Sequence, residues 1–383
     1  MTANIPKHWK IKKLGEIGIF FKGKGVPKNK ITDTGFKCLT YGDLYTKYDF
    51  VIEGVKSFID KETALISQEI RYGDICFAGS GETLEDIGKC ATFIDDEIGY
   101  AGGDIIVFRT EQNPIVMSYL LNSDIAKKQK FSMGQGHSVV HIYSSQLEML
   151  KLPLPPLEEQ EKIAEILLTC DKAIRLTTQI ITQLKQRNQG LAQQLLTGEK
   201  RVKGFENSVW KEVRLGEIGE VYQPETISQS LLTEKGFKVY GANGVIGYYS
   251  RYNHENEQIA VVCRGSTCGL VNFTEAKSWI TGNAMVINLD GNPNYSKLFV
   301  YEYLKNDNLN YLITGSGQPQ ITSEIKNHII KVPLFKEQNA IAQILDTAHQ
   351  ELKLYEQKLQ LLQAQKKTLM QKLLTGEVLT VKK

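Results

Sequence analysis

The feature that most constrains this chain is a long segment that occurs twice. Residues 159–199 align with residues 337–377 without a gap, at an offset of 178, and 17 of the 41 aligned positions are identical. Both copies begin with Glu-Gln and end with Leu-Leu-Thr-Gly-Glu. A repeat of this kind constrains the architecture before single residues are considered. The chain is therefore expected to contain two related halves.

Each copy has the heptad pattern of a coiled-coil helix. Apolar residues follow one another at alternating steps of four and three, and neither copy contains proline. Glycine at positions 198 and 376 predicts the C-terminal stop, because glycine takes the left-handed conformation there at little cost. The predicted apolar seams are Ile163, Leu167, Ile174, Ile181, Leu184, Leu191 and Leu195 in the first copy, and Ile341, Leu345, Leu352, Leu359, Leu362, Leu369 and Leu373 in the second.

The two helices are predicted to pair with each other in antiparallel fashion. A lone amphipathic helix is only marginally stable in water, so each seam needs a partner. Each helix is about 60 Å long at ~1.5 Å per residue, whereas a compact domain of about 125 residues has a radius of gyration of about 14 Å. The domain between the helices would not easily carry the chain back over that length. A symmetric register places Asn188 opposite Ala348, and Lys366 opposite Cys170.

A second repeat marks where the globular halves begin. Seven of ten residues are identical between Trp9–Gly18 and Trp210–Gly219. The predicted fold is α+β, with two mixed, β-rich domains at opposite ends of an antiparallel two-helix coiled coil and a pseudo-two-fold internal repeat. The predicted segments are a first globular domain at 1–156, a central helix at 157–199, a linker at 200–208, a second globular domain at 209–334 and a C-terminal helix at 335–383.

Within each half, local patterns predict strands and one helix start. Apolar, β-rich runs predict strands at 104–109, 258–263 and 284–288. Asn-Pro at 113–114 and at 292–293 predicts helices near 115–122 and 295–306, because asparagine caps a helix and proline suits its first position.

Composition is that of an ordinary soluble protein, with 42% apolar and 23% charged residues. No apolar run approaches the ~20 residues that span a bilayer, and the first 13 residues do not resemble a signal peptide, so a cytoplasmic location and no membrane partner are expected. The six cysteines form no CxxC pair, which favours reduced thiols over a disulfide or metal at Cys263 and Cys268. Net charge is only +3, but residues 1–48 hold ten lysines against three acidic residues.

Three motifs of chemical interest are better explained without catalysis. Gly18–Gly25 has the spacing of a phosphate-binding loop but ends in glycine where a hydroxyl must hold Mg²⁺. Residues 292–295 differ in one position from an amino-methyltransferase motif and lack a glycine-rich S-adenosylmethionine motif. His137 and His141 have no further ligand at metal-binding spacing. No metal, cofactor or catalytic residue is predicted for this chain.

The visible chemistry consists of hydrogen-bonding groups on glycine-rich loops. Glycine lets a backbone approach a ligand, and Gln, Asn and Arg pair with base edges, whereas Ser, Thr and Lys contact phosphates. A solvated loop residue is the alternative at each position. The candidate DNA contacts are Lys22, Lys24, Lys28, Lys30, Ser80, Glu82, Gln135, His137, Ser138, Tyr248, Tyr249, Arg251, Tyr252, Arg264, Ser266, Thr267, Ser316, Gln318 and Gln320.

Taken together, these segments resemble the specificity subunit of type I restriction–modification enzymes. The resemblance covers essentially the whole chain. It rests on the paired segments 153–199 and 333–377, the Trp-x(4)-Leu-Gly-Glu-Ile domain starts, and Gly-Ser-Gly-Gln-Pro-Gln-Ile at 315–321. The first half departs from that loop with Gly-Gln-Gly-His-Ser-Val-Val at 134–140.

The resemblance implies a non-catalytic subunit that reads a bipartite target in double-stranded DNA. It implies docking of methyltransferase subunits, two in number, which carry S-adenosylmethionine, and the joining of restriction subunits. The alternatives are a non-DNA scaffold with two β-rich ligand-binding domains spaced by a coiled coil, and an enzyme fused to such a spacer. The scaffold would not bind duplex DNA in a salt-dependent way, and the enzyme would turn over alone.

Overall fold

The chain is described by a computed structural model that covers residues 5–136, 139–242, 244–315 and 317–380. It divides into two compact units. Unit 1 comprises residues 1–176 and 359–383, and unit 2 comprises residues 177–358, so the division falls inside both long helices. Within the described ranges, no helix combines the length and apolar character needed to cross a membrane.

In both units most elements before the long helix are short strands, with a few short helices among them. In unit 1 the strands are β1 (Lys10–Lys13), β2 (Gly18–Lys22), β3 (Ile31–Thr32), β4 (Phe36–Leu39), β5 (Val51–Ile52), β6 (Phe58–Ile59), β7 (Gln68–Ile70), β8 (Ile75–Ala78), β9 (Ser80–Gly81), β10 (Cys90–Phe93), β11 (Gly99–Ala101), β12 (Ile105–Thr110), β13 (Val140–His141) and β14 (Lys151–Leu154). In unit 2 they are β15 (Lys211–Arg214), β16 (Glu220–Tyr222), β17 (Phe237–Gly241), β18 (Gly244–Tyr249), β19 (Ile259–Val262), β20 (Val271–Phe273), β21 (Trp279–Ile280), β22 (Ala284–Asn288) and β23 (Ile329–Val332). The α-helices are α1 (Tyr41–Thr46), α2 (Lys61–Ile66), α3 (Pro114–Leu121), α4 (Asp124–Met133), α5 (Ser144–Leu147), α6 (Leu157–Leu196), α7 (Leu215–Ile218), α8 (Lys297–Asn306) and α9 (Phe335–Thr375).

The sheets of the two units share a plan. The main sheet has the order β2-β12-β8-β10-β5 in unit 1 and β16-β22-β19-β20 in unit 2. A second sheet contains a parallel pair in each unit, β4 with β11 and β17 with β21. A separate two-stranded ribbon joins the first strand of each half to the strand before its long helix, β1 to β14 and β15 to β23. The predicted mixed, β-rich halves and their internal repeat are therefore confirmed.

The long helices agree closely with the repeat. Both end before a glycine with positive φ, +75° at Gly198 and +71° at Gly376, which confirms the predicted C-terminal stops. No residue of the predicted seams is fully exposed, and the residues nearest the sheets are the most buried. The buried ones are Ile163, Leu167, Ile181, Leu184, Leu195, Ile341, Leu345 and Leu373, and the half-buried ones are Ile174, Leu191, Leu352, Leu359, Leu362 and Leu369.

Polar residues in the seam show how α6 pairs with α9 within each unit. In unit 2 the Asn188 side-chain amide donates to the Ala348 carbonyl oxygen at 2.8 Å, as the antiparallel register predicts. In unit 1 the Lys366 ammonium pairs with Asp171, the neighbour of the expected Cys170. In unit 2, Asn188 contacts Ala348, Arg187 pairs with Glu351 and Lys185 pairs with Glu356. In unit 1, Asp171 pairs with Lys366 and the Glu159 carbonyl accepts from Thr380. Within each unit, rising positions on the first segment meet falling positions on the second, so the two segments are antiparallel.

The Glu-Gln pair that begins each repeat fastens the helix to its own unit. The buried Gln160 amide accepts from Asn113 N at 2.9 Å and donates to the Pro155 carbonyl at 2.8 Å. Gln338 does the same with Ser296 N and the Pro333 carbonyl, both at 2.9 Å. The identity of these residues in the two copies is thus explained by an identical local task.

The preceding glutamates are also buried but have different partners. Glu159 accepts from Trp9 Nε1 at 3.0 Å and lies 3.0 Å from His8 Nε2. Glu337 instead accepts hydrogen bonds from Nε and Nη2 of Arg201, at 3.0 Å each. Segment 200–208 is therefore held against the start of α9 in unit 2.

One of the two predicted helix caps is wrong. Asn113 caps α3, because its side-chain oxygen accepts from the amides of residues 115 and 116. The prediction of the same role for Asn292 fails, since α8 begins at Lys297 with Ser296 as its cap. The physical reason is that the Asn292 side chain donates to the Ile218 carbonyl at 3.1 Å and ties a turn to α7 instead.

Candidate nucleic-acid interface

In each unit, a central strand of the main sheet ends in a short loop, called here the strand-end loop. It comprises residues 79–83 after β8 and residues 263–267 after β19. Its first residue is fixed to the neighbouring chain, with Gly79 N donating to the Asp104 carbonyl at 2.7 Å and Cys263 N to the Asn283 carbonyl at 2.9 Å. The two units therefore lead the chain out of the sheet in the same way.

A second loop, the closing loop, lies against it. In unit 1 it runs from Gln135 to His141, and the amide and carbonyl of each end residue bond to those of the other at 2.8–3.0 Å. In unit 2 it runs from Thr314 to Gln320, and the same two bonds are each 2.9 Å long. Both loops have five residues between their end residues. They therefore close with the same backbone geometry although their sequences differ.

Glycine at the second position makes this closure possible. Gly136 has φ +126° and Gly315 has φ +89°, the left-handed region that favours glycine. A Cβ at Gly136 would lie 2.0 Å from the Val139 carbonyl oxygen, and one at Gly315 would lie 2.6 Å from that of Gln318. A glycine at this position is therefore the sequence feature that the two closing loops share because of their backbone conformation.

The two loops join through an antiparallel contact. The residue after the closing loop donates to the strand-end loop, Ile142 N to the Gly79 carbonyl at 2.9 Å and Ile321 N to the Cys263 carbonyl at 3.0 Å. The cross-strand partners are Ser80 with His141 in unit 1, and Arg264 with Gln320 in unit 2.

In unit 1 this contact is partly covered. Ser80 is 4% exposed, and its hydroxyl lies 2.9 Å from His141 Nδ1. Tyr45, on α1, donates its hydroxyl to the Ser80 carbonyl at 3.1 Å, and burial raises the pKa of that phenol to about 12, so it remains a donor. Glu82 and Gln135 are exposed beside it. Two predicted contacts, His137 and Ser138, lie outside the described residues.

In unit 2 the same contact is open. Arg264, Ser266, Gln318 and Gln320 are exposed together. Thr267 is half-buried, and its hydroxyl donates to the Ala242 carbonyl at 3.0 Å, which brings the β17–β18 turn to the strand-end loop. Ser316, also predicted, lies outside the described residues.

The segment that carries the predicted lysines leaves the main sheet of unit 1 at the same edge as the strand-end loop. Lys22 ends β2 opposite Ile106, and Ala78 ends β8 opposite Ile105, so the two chains flank β12 about 10 Å apart. Lys24, Lys28 and Lys30 follow as exposed residues, and Lys30 lies 3.8 Å from Asp60. Because Gly18–Lys22 is a paired strand, the phosphate-loop spacing does not form a loop there.

The predicted aromatic group of unit 2 is set apart from the loops. Tyr248 and Tyr249 lie at the far end of β18 from its turn, about 17 Å along the strand. Tyr249 packs edge-on against Trp279 at 5.3 Å, and Tyr252 against Phe237 at 4.9 Å. Arg251 is exposed between them.

One residue of the junction was not among the predicted contacts. From the sequence, His141 is only a possible metal ligand, whereas the structure places it where unit 2 has Gln320. The equal loop lengths and the shared offset of 179 would have identified it. Within the described residues, no group of three or more His, Cys, Asp or Glu side chains is placed to hold a metal ion.

Comparison with known proteins agrees with this duplicated arrangement. The family model described as "Type I restriction modification DNA specificity domain" matches residues 6–186 and again 207–364. The type I restriction enzyme MjaVIII specificity subunit of Methanocaldococcus jannaschii is 24% identical over 419 residues, which cover 98% of this chain and 94% of that protein. The EcoprrI specificity subunit of Escherichia coli is 27% identical over 168 residues, 42% of this chain and 40% of that protein.

Solved structures show the same fold. The S subunit of a type I restriction–modification system from M. genitalium superposes with a TM-score of 0.68 at 18% identity, covering 97% of each chain. A chain from a study of complex assembly and conformational transition of the type I system gives a TM-score of 0.57 at 18% identity, covering 98% of this chain and 99% of that one. With the family matched over both halves, this chain belongs to the specificity subunits of type I restriction–modification systems.

Proposed function

We propose that the chain reads a bipartite target in double-stranded DNA, one half with each unit. The observation that carries the proposal is the repeated junction of strand-end loop and closing loop. Each unit has the same backbone frame, and each presents different side chains on it. A shared frame with different side chains suits two sites that use one geometry to read two sequences.

Direct and electrostatic contacts have different roles in this proposal. Exposed Gln and Arg side chains of the junctions contact base edges, because amide and guanidinium groups match the donors and acceptors of purines. Lys22, Lys24, Lys28 and Lys30 contact phosphates, which adds affinity without sequence preference. The exposed Ser266 and Tyr252 contact phosphates, which positions the protein on the duplex without reading its sequence.

We further infer that the chain is the non-catalytic member of a larger cytoplasmic complex. Two methyltransferase subunits, which bind S-adenosylmethionine, dock on its repeated surfaces, and restriction subunits join them. The internal repeat supports two equivalent partners, since each copy presents the same kind of helix start. No membrane partner is proposed.

The deciding experiment maps methylated bases in the DNA of cells that carry this chain with its methyltransferase subunit. A two-part motif with a fixed gap, present only when the chain is present, is the expected result. A continuous motif, or one that does not depend on the chain, would refute the proposal.

Two measurements on purified protein separate the alternatives. The chain alone should transfer no methyl group from S-adenosylmethionine, and turnover by the pure chain would show an enzyme. The complex should bind duplex DNA with an affinity that falls as salt rises. Salt-independent or absent binding would favour a scaffold for other ligands.

A further inference from the structure

We propose that the cross-strand pair at each junction is the specificity-determining pair of its unit. The pair is Ser80 with His141 in unit 1 and Arg264 with Gln320 in unit 2, and both are called here the reading pair. This inference rests on the proposed function and deepens it, since it assigns base reading to one structural position that occurs twice.

The backbone of the reading pair is held in place before any ligand arrives. Hydrogen bonds tie the ends of each closing loop to each other, tie the following isoleucine to the strand-end loop, and tie that loop to the sheet. Residues directly opposite in an antiparallel pair project their side chains to the same side, with Cβ atoms ~5 Å apart. The fixed backbone therefore sets the position from which the two adjacent side chains reach a ligand.

In unit 2, both members of the reading pair are available for base contacts. Arg264 and Gln320 are exposed, and no hydrogen bond or ion pair of either side chain is found among residues 5–136, 139–242, 244–315 and 317–380. Arginine makes two hydrogen bonds with guanine, and glutamine makes two with adenine. The pair therefore suits two neighbouring purines.

In unit 1 the pair works differently, because one member is buried. The Ser80 hydroxyl lies against His141 Nδ1, and Ser80 itself is almost inaccessible. Ser80 is thus a positioning residue that orients the imidazole ring. His141 is half-buried, and its Nε2 makes a single hydrogen bond to a base edge, whichever nitrogen carries the proton.

The number of contacts predicts how sharply each unit discriminates at this position. A bidentate contact is expected to discriminate against the wrong base by about 5- to 150-fold. One hydrogen bond from His141 should discriminate less than the two from Gln320. Unit 1 is therefore the more degenerate reader at the equivalent base.

The test exchanges the closing-loop members of the reading pairs, His141 and Gln320, between the units. His141→Gln and Gln320→His are each expressed with the methyltransferase subunit, and Arg264→Ser is added to remove the guanidinium. Genome-wide methylation mapping then gives the motif for each variant. Arg214→Ser is the charge-matched control, since Arg214 is exposed in unit 2 but lies outside both loops.

The expected result is a change confined to one half of the motif. His141→Gln should alter or sharpen one base of one half, and Gln320→His and Arg264→Ser should relax neighbouring bases of the other half. Ser80→Ala should relax the same base as His141→Gln affects, which a purely structural role would not do. Unchanged motifs for all the junction variants, or an equal effect of Arg214→Ser, would overturn the assignment.

A variant that abolishes methylation is resolved by binding. The purified complex is titrated with duplexes that differ from the wild-type target by one base pair at a time. Loss of discrimination at one position supports the reading pair, and a uniform loss on all duplexes contradicts it. If the wild-type chain itself gives no two-part motif, the proposed function fails, which is a distinct outcome.

Discussion

Unit 1 and unit 2 hold their junctions with the same backbone hydrogen bonds but cover them differently. In unit 1, α1 places Tyr45 over the strand-end loop, and Ser80 is buried as a result. In unit 2 the corresponding Arg264 is exposed, although the β17–β18 turn contacts the same loop through Thr267. The covering helix lies in residues 22–48, a stretch without a clear counterpart in the second half. Duplication has kept the frame, whereas insertion has changed access to it.

The same contrast applies to the long helices. The glutamate at the start of each repeat is buried in both units, but one partner set is neutral or weakly basic and the other is a guanidinium. The polar seam position is Asn188 in one copy and Lys366 in the other, at the repeat offset of 178. Equivalent positions therefore carry interactions of unequal strength, and mutations can measure the inequality.

The largest effect is expected at the helix starts. Glu337→Ala removes a carboxylate that binds Arg201 through two bonds, and it should lower the stability of unit 2 by about 3 kcal/mol. Glu159→Ala should cost unit 1 about 1–2 kcal/mol, because its partners, the Trp9 indole and the His8 imidazole, are less charged than a guanidinium. Amide hydrogen exchange at the starts of α6 and α9 measures both losses of stability. Lys336→Ala is the control, because Lys336 is exposed beside Glu337. Equal costs in the two units would contradict the difference.

The seam should show a smaller difference, with the larger cost now in unit 1. The Lys366 ammonium pairs with Asp171 and lies 4.5 Å from the centre of the Phe50 ring and 5.0 Å from that of Tyr119. Lys366→Met should therefore destabilise unit 1 by about 2 kcal/mol. Asn188→Ala should cost unit 2 about 1 kcal/mol, since it loses the buried hydrogen bond to the Ala348 carbonyl, whereas the bonds that Asn188 accepts from the exposed Arg187 guanidinium add little. Amide hydrogen exchange in urea, measured separately for each unit, compares the two losses of stability. A larger loss for Asn188→Ala than for Lys366→Met would contradict the prediction.

DNA affinity should depend on the basic segment of unit 1. Changing Lys22, Lys24, Lys28 and Lys30 to Ala should weaken binding to every duplex and flatten the salt dependence by up to ~0.9 per lost phosphate contact. The matched control changes four exposed lysines of unit 2, Lys203, Lys211, Lys235 and Lys326. Equal salt slopes for the two variants would show that the segment makes no phosphate contacts.

The smallest expected effect is the dependence of the stability of unit 2 on pH. Burial lowers the pKa of His254 and of His328, both in unit 2. A histidine with a lowered folded pKa takes up its proton more readily when unfolded, so stability is present above the unfolded pKa of about 6.5 and falls as pH drops through it towards the folded value. Unit 2 should therefore lose protection from hydrogen exchange below about pH 6.5, and His254→Gln with His328→Gln should reduce the loss. A pH-independent unit 2 would contradict this.

Much of the fold could be predicted because it follows from local periodicity. The heptads, the absence of proline and the terminal glycines determine two long helices. The chain connection predicts their antiparallel direction, and an assumed symmetric register predicts the contact of Asn188 with Ala348. The strand at 284–288 was also predictable from its apolar run. Asn292 shows the limit, because the same dipeptide caps a helix in one half and ties a turn in the other.

The sequence by itself thus determined the duplication, the helices, the mixed β-rich halves and the family. Only the tertiary structure decided which loop residues meet, because the Ser80–His141 and Arg264–Gln320 contacts join segments about 60 residues apart whose sequences differ. It also decided that Tyr45 covers one contact and that Tyr248 and Tyr249 lie away from the other. The physical reason is that backbone hydrogen bonds between distant segments leave almost no trace in side-chain composition, apart from the glycines whose backbone conformation they require.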